Sequence, residues 1–173
     1  MKLKTTLNTT LSIFAAASLL AACGGGGGDE AREIKMEAEA AKHGIDADVE
    51  LDDKGEVKSV TVNNGMGAKV GKNLDLPADF PSDVPVSEGW SIMSTSPTPG
   101  GFMVQATTGD SVEDTLAAIR KDMTAQGWTE ESADQPNAMM SRIGFTKDDR
   151  LTSFNLMAVE PNLTVQLVTM KRP

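Results

Sequence analysis

The sequence predicts an α+β fold, an antiparallel sheet packed on one helix in the order β-β-α-β-β-β-β, preceded by a short helix and a β-hairpin. Three observations carry that prediction. Apolar and polar residues alternate in short runs between residues 47 and 62 and again from residue 90 onward, the period of half-buried strands. One stretch, opening at Ser111, instead repeats its apolar residues every three to four positions, as a helix does. Asp, Asn, Gly and Pro punctuate the runs as turns. A chain of 173 residues has room for one compact domain and its extras.

The N-terminus is an address. Lys2 and Lys4 precede an almost wholly apolar stretch over residues 11–22, closed by small residues, the layout of a secretory signal. About twelve apolar residues rise only ~18 Å, short of the ~30 Å hydrocarbon core, so the stretch reads as a removable leader rather than a permanent span. Leu20, Ala21, Ala22 and Cys23 end it, and Cys23 is the one cysteine of the chain. This Leu-Ala-Ala-Cys resembles the lipobox of bacterial lipoproteins. The resemblance implies cleavage between Ala22 and Cys23, a diacylglyceryl thioether on the Cys23 sulfur and acylation of the new amino group by a palmitate-like chain. Three chains exceed the marginal hold of a single one, so the first expected partner is the lipid bilayer.

In that family an Asp after the lipidated Cys commonly retains the protein at the inner membrane. Gly24 stands there instead, which implies the outer membrane, with the folded part facing the periplasm. Gly24 to Gly28 form an unbroken tether with a reach of about 12 Å. Removing the leader takes Lys2 and Lys4 and no acid, leaving 14 of the 16 basic residues against 25 acidic ones. Such a balance argues against a second, polybasic attachment to anionic lipid.

The chain then divides into residues 1–22 (leader), 23–28 (lipidated Cys and tether), 29–73 (a small unit of helix and hairpin), 74–89 (a Pro-rich boundary) and 90–173 (the main α+β domain). Asp29 to His43 are strong helix formers, with Ala31, Ile34, Ala38 and Ala41 as a narrow apolar stripe and Gly44 as a stop. Ala47, Val49 and Leu51, then Val57, Val60 and Val62, alternate with polar residues around an Asp-Lys-Gly turn, the pattern of a hairpin. Three prolines between Pro77 and Pro85 remove backbone donors and hold the chain extended, with Phe80 and Val84 as the side chains expected to pin it. Trp90 and Ile92, then Phe102, Val104 and Ala106, suggest two strands. Ser111 is a good N-cap, Val112, Leu116, Ile119 and Met123 make the apolar stripe of the main helix, and Gly127 ends it. Residues 128–131, 139–147, 151–160 and 163–172 read as the four remaining strands.

Leu-Pro-Ala-Asp-Phe-Pro-Ser-Asp-Val-Pro at 76–85, Asp-Ser-Val-Glu-Asp at 110–114 and Gly-Trp at 127–128 resemble a group of small exported bacterial proteins and lipoproteins, mostly uncharacterised, over the C-terminal ~100 residues. That resemblance implies a fold and an address, and no mechanism.

Composition excludes several functions. With 25 acidic and 16 basic residues, net charge −9, the chain lacks the basic surface that drives nucleic-acid binding. One Cys and one His supply neither a disulfide framework nor a closed zinc site. Asp46, Asp48, Glu50 and Asp52 invite a calcium reading, but Leu51 stands where the loop needs Gly and Val57 where it needs Glu; a solvated acidic face is the expectation, with no metal and no cofactor. His43, beside Gly44, reads as a helix-end residue rather than a catalytic base, so no enzyme activity is expected.

Ten methionines stand out, chiefly as gap-fillers in a core poor in aromatics. If the main helix covers one face of the sheet, Met140, Met157, Val168 and Met170 fall on the other as an apolar patch of the kind that marks contact with a partner. The expected function is a membrane-tethered interaction module for an envelope protein, and the alternative a carrier or chaperone for a lipid or other apolar ligand, which requires a cavity of ~300 Å³ or more between helix and sheet.

Overall fold

The computed structural model describes residues 28–63, 67–133 and 139–172. Ala22 and Cys23, the expected cleavage and lipidation site, lie outside the described residues. Eleven elements follow one another: α1 (Asp29–Lys42), β1 (Ala47–Leu51), β2 (Val57–Val62), β3 (Ala68–Gly71), β4 (Ser91–Thr98), β5 (Gly101–Thr108), α2 (Val112–Ala125), β6 (Thr129–Ala133), β7 (Met140–Lys147), β8 (Arg150–Val159) and β9 (Asn162–Lys171). All nine strands join one open antiparallel sheet in the order β1-β2-β3-β4-β5-β9-β8-β7-β6. From β4 onward the element order is the β-β-α-β-β-β-β read from the sequence.

α2 is legible residue by residue. The Ser111 side chain caps the first turn by accepting from the Asp114 N–H at 3.1 Å, and its hydroxyl donates to the Asp114 carboxylate at 2.7 Å, which holds the cap in place. Gly127, at φ +81°, leaves the helix in the left-handed conformation. Val112, Leu116, Ile119 and Met123 are buried in one core with Val104, Ala106, Ile143, Phe145, Phe154, Leu156, Val165 and Leu167 of the sheet. Phe154 lies at its centre, its ring 6.4 Å from Trp90 and 6.2 Å from Phe145, both edge-on. The Pro-rich segment closes the same core: Leu74 and Val84 are buried in it, and the Phe80 ring packs 5.6 Å from Phe102.

The small unit continues the main sheet. β3, absent from the sequence reading, pairs with β2 over four residues and with β4 through Lys69 opposite Thr95 and Val70 opposite Ser94. Four residues that follow Gly67 and end on Gly71 offer too short an alternation to register as a strand. The strand expected at 128–131 begins at Thr129, because Trp128 turns into the core, 3% exposed.

α1 corrects the sequence reading more sharply. Ala31, Ile34, Ala38 and Ala41 are all exposed, Ile34 at 65%. The opposite side faces the protein: Glu37 accepts from the Val49 N–H at 3.0 Å and Glu33 from the Leu51 N–H at 2.8 Å, with Ala40 the buried residue of the helix. β1 is an edge strand. An edge presents unpaired N–H groups rather than an apolar surface, so the residues that turn inward are acceptors one helical turn apart. Replacing Glu33 and Glu37 together by Ala is expected to free α1 from the edge, exposing the Val49 and Leu51 amides so that their hydrogen exchange rises at least ~10-fold, while the amides of β8 and β9 keep their protection.

Candidate functional site

Strand alternation puts the core residues of β4, β5, β9, β8 and β7 on the α2 side and leaves the other face open among the described residues. Successive cross-strand pairs write that face in rows. One row runs Thr107, Thr164, Met157, Met140. The next runs Ser94, Gln105, Gln166, Asn155, Arg142. Beyond it come Ser96, Met103, Val168, Ser153 and Gly144, then Thr98, Gly101, Met170, Leu151 and Thr146. Gly101 is required where it stands: a Cβ there would come within 1.8 Å of the Thr169 carbonyl, so β5 and β9 approach closely only with a bare backbone.

All four residues nominated from the sequence, Met140, Met157, Val168 and Met170, therefore share the helix-free face. They do not form one patch. Met140 and Met157 are a directly opposed pair, 59% and 52% exposed, whereas Val168 and Met170 are half-buried beside Met103 and Leu151. The polar row runs between the two groups. Met139 and Val159, also exposed, extend the first group at the end of the sheet.

The polar row holds what the sequence reading missed. Arg142 Nε donates to Asn155 Oδ1 at 2.6 Å, and Gln166 Nε2 donates to the Met103 sulfur at 3.6 Å. Together with Gln105, Met140, Met157, Thr164 and Gln166, Arg142 and Asn155 line a shallow depression of about 190 Å³. The same two-residue step that nominates Met140 reaches Arg142, and the step from Met157 reaches Asn155. Reading the alternation for apolar residues alone passed over both.

The most densely bonded charged cluster lies elsewhere and is structural. Asp83, in the Pro-rich segment, accepts from Arg150 at 2.8 and 2.5 Å and from Lys147 at 2.7 Å. Arg150 stacks 4.8 Å over the Trp128 ring, Trp128 Nε1 donates to the Asp83 carbonyl at 2.7 Å, and Lys147 also donates to the Gln126 carbonyl at 2.8 Å. Hydrogen bonding from Arg150, then from Lys147, holds the Asp83 carboxyl far below the usual carboxylate range. This cluster is a staple joining boundary segment, helix end and β7–β8 turn.

On the acidic stretch 46–52, Glu50 accepts from the buried Ser59 hydroxyl at 2.6 Å and from Lys69 at 3.2 Å, and Asp52 accepts the Lys54 and Glu56 N–H groups at 2.9 and 2.8 Å. Those bonds lower both carboxyls, Glu50 chiefly through Ser59 and Asp52 chiefly through the Glu56 N–H. Among the described residues no group of three or more His, Cys, Asp or Glu is placed to hold a metal ion, and no helix is long and apolar enough to cross a membrane. His43 is the C-cap of α1 and largely exposed. Comparison with protein-family models, with curated proteins and with solved structures finds no match to this chain.

Proposed function

We propose that this protein is a lipid-anchored component of the bacterial envelope, fastened to the outer membrane on its periplasmic side through acylated Cys23, and that its helix-free sheet face binds another envelope protein. The observation that carries the binding role is the open face itself, with exposed methionines on both sides of a polar row. Mixed apolar and polar rows on a flat surface are the composition of a non-obligate interface, where apolar contacts supply area and polar ones register. The lipobox-like Leu20 to Cys23 carries the address. Against the carrier reading stands the filled space between α2 and the sheet: Met123, Ile143, Phe145, Phe154 and Leu156 are all 0% exposed.

Two experiments test the two halves. Cys23→Ser in the full chain is expected to abolish labelling by a clickable palmitate analogue and to move the protein from the membrane to the soluble fraction; equal membrane recovery of both forms would remove the anchor. A photo-crosslinking amino acid placed in living cells at Thr164, on the open face, is expected to give a discrete protein adduct, while the same group at Lys121 on α2 gives none. Adducts of equal yield from both positions, or from neither, would remove the interface.

A further inference from the structure

The depression on the open face has a chemistry of its own. Arg120, Arg150 and Arg172 each hold a carboxylate, Glu130, Asp83 and Glu131 respectively. Arg142 does not: its bond is to the Asn155 amide, and no carboxylate meets it among the described residues. Among the described residues Arg32 of α1 also meets no carboxylate within ion-pair distance, so Arg142 is distinguished by its place, on the helix-free sheet face of a chain with nine more acidic than basic residues. A guanidinium has five N–H donors, and Arg142 commits Nε to Asn155. That bond holds the side chain along the row and leaves its terminal N–H groups for a bidentate acceptor.

Resting on the interface role above, we propose that Arg142 is the reader of that interface, and that it takes the carboxylate of an Asp or Glu side chain flanked by apolar residues on the partner protein. Three features select that occupant. A depression of about 190 Å³ is smaller than the ~300–1,000 Å³ of small-molecule sites, but accepts one or two side chains. One cation in an acidic protein matches a single carboxylate; a polyanionic surface would be repelled by the rest of the molecule. The rows above and below Arg142 and Asn155 carry Met140 with Met157 and Met103 with Val168, adaptable apolar contacts for the residues beside the acid. Gln105 and Gln166 extend the row with amide groups, of which Gln166 spends a donor on a thioether, a weak bond that a carbonyl or carboxylate displaces.

The test uses the full chain in two arms. In the first, N-acetyl-Leu-Glu-Leu-amide and its Gln counterpart are titrated while the side-chain amide signals of Asn155 and Gln166 and the methyl signals of Met140 and Met157 are followed by NMR. The Glu peptide is expected to shift all four and to bind about 10-fold more tightly than the Gln peptide, a preference that Arg142→Gln abolishes with its melting temperature unchanged. Equal binding of the two peptides by the wild-type protein, or tighter binding of inorganic phosphate than of the Glu peptide, would overturn the proposal. The second arm repeats crosslinking from Thr164 in the Arg142→Gln protein. Loss of the adduct is the expected result; an undiminished adduct would overturn the reader while leaving the interface standing, whereas absence of an adduct in the wild-type protein removes the interface and the reader with it.

Discussion

Phe154→Ala is expected to lower the unfolding free energy by about 3–5 kcal/mol, read as a fall in the urea midpoint at unchanged slope. The side chain is wholly buried on β8, where its neighbours are Ile143 of β7 and Leu167 of β9, and two aromatic rings meet it edge-on. Truncation removes apolar area and both ring contacts, and neighbours held on three hydrogen-bonded strands move little into the space left. Met103→Ala, on the open face, provides the control and is expected to change stability by no more than about 0.5 kcal/mol. A comparable cost at both positions would mean that the two faces of the sheet are equally packed.

Asp83→Asn is expected to cost about 2–3 kcal/mol at neutral pH, because it leaves Arg150 and Lys147 facing each other without the charge between them. The groups are roughly three-quarters buried, with side-chain exposures of 23% and 27%, so solvent screens the loss only in part. The sign with pH follows from the direction of the shift. Folding depresses the Asp83 pKa below its ordinary 3.8, so its contribution is complete above that value and is lost as pH falls through the folded-state value. The gap in melting temperature between wild type and variant should therefore be constant from pH 7 to about pH 5, begin to narrow near pH 4 and go on narrowing as pH falls further toward the folded-state value. A gap that stays undiminished from about pH 5 down to about pH 2 would show that the carboxylate charge does not hold the staple together.

What could be read from the chain beforehand divides by the range of the interaction. α2 was legible because its determinants are local: a cap at Ser111, an apolar stripe from Val112 to Met123 and a glycine exit at Gly127. The strands of the hairpin and of the main sheet were legible for the same reason, each needing only its own alternation. Strand order was not, since nothing near Phe102 announces that Thr169 will lie opposite it. The face of α1 was misread because an apolar stripe marks the contact side only when the partner is apolar, and here the partner is a row of N–H donors. Arg142 escaped because a lone cation in a strand is ordinarily solvated; its meaning comes from Asn155, thirteen residues away in sequence and adjacent across two strands.

Strand β9 lies between β5 and β8 and hydrogen-bonds to both along its length. It also leaves the ribosome after the other eight described strands of the sheet. Until it arrives, the β1–β5 part and the β6–β8 part have no shared backbone ladder, and the core around Phe154 lacks Leu163, Val165 and Leu167. Joining β5 to β9 closes a loop of more than fifty residues, a slow step on topological grounds. The nascent polypeptide is thus kept from locking shut while its first eight strands are being made, and the keystone that joins the two parts of the sheet follows them.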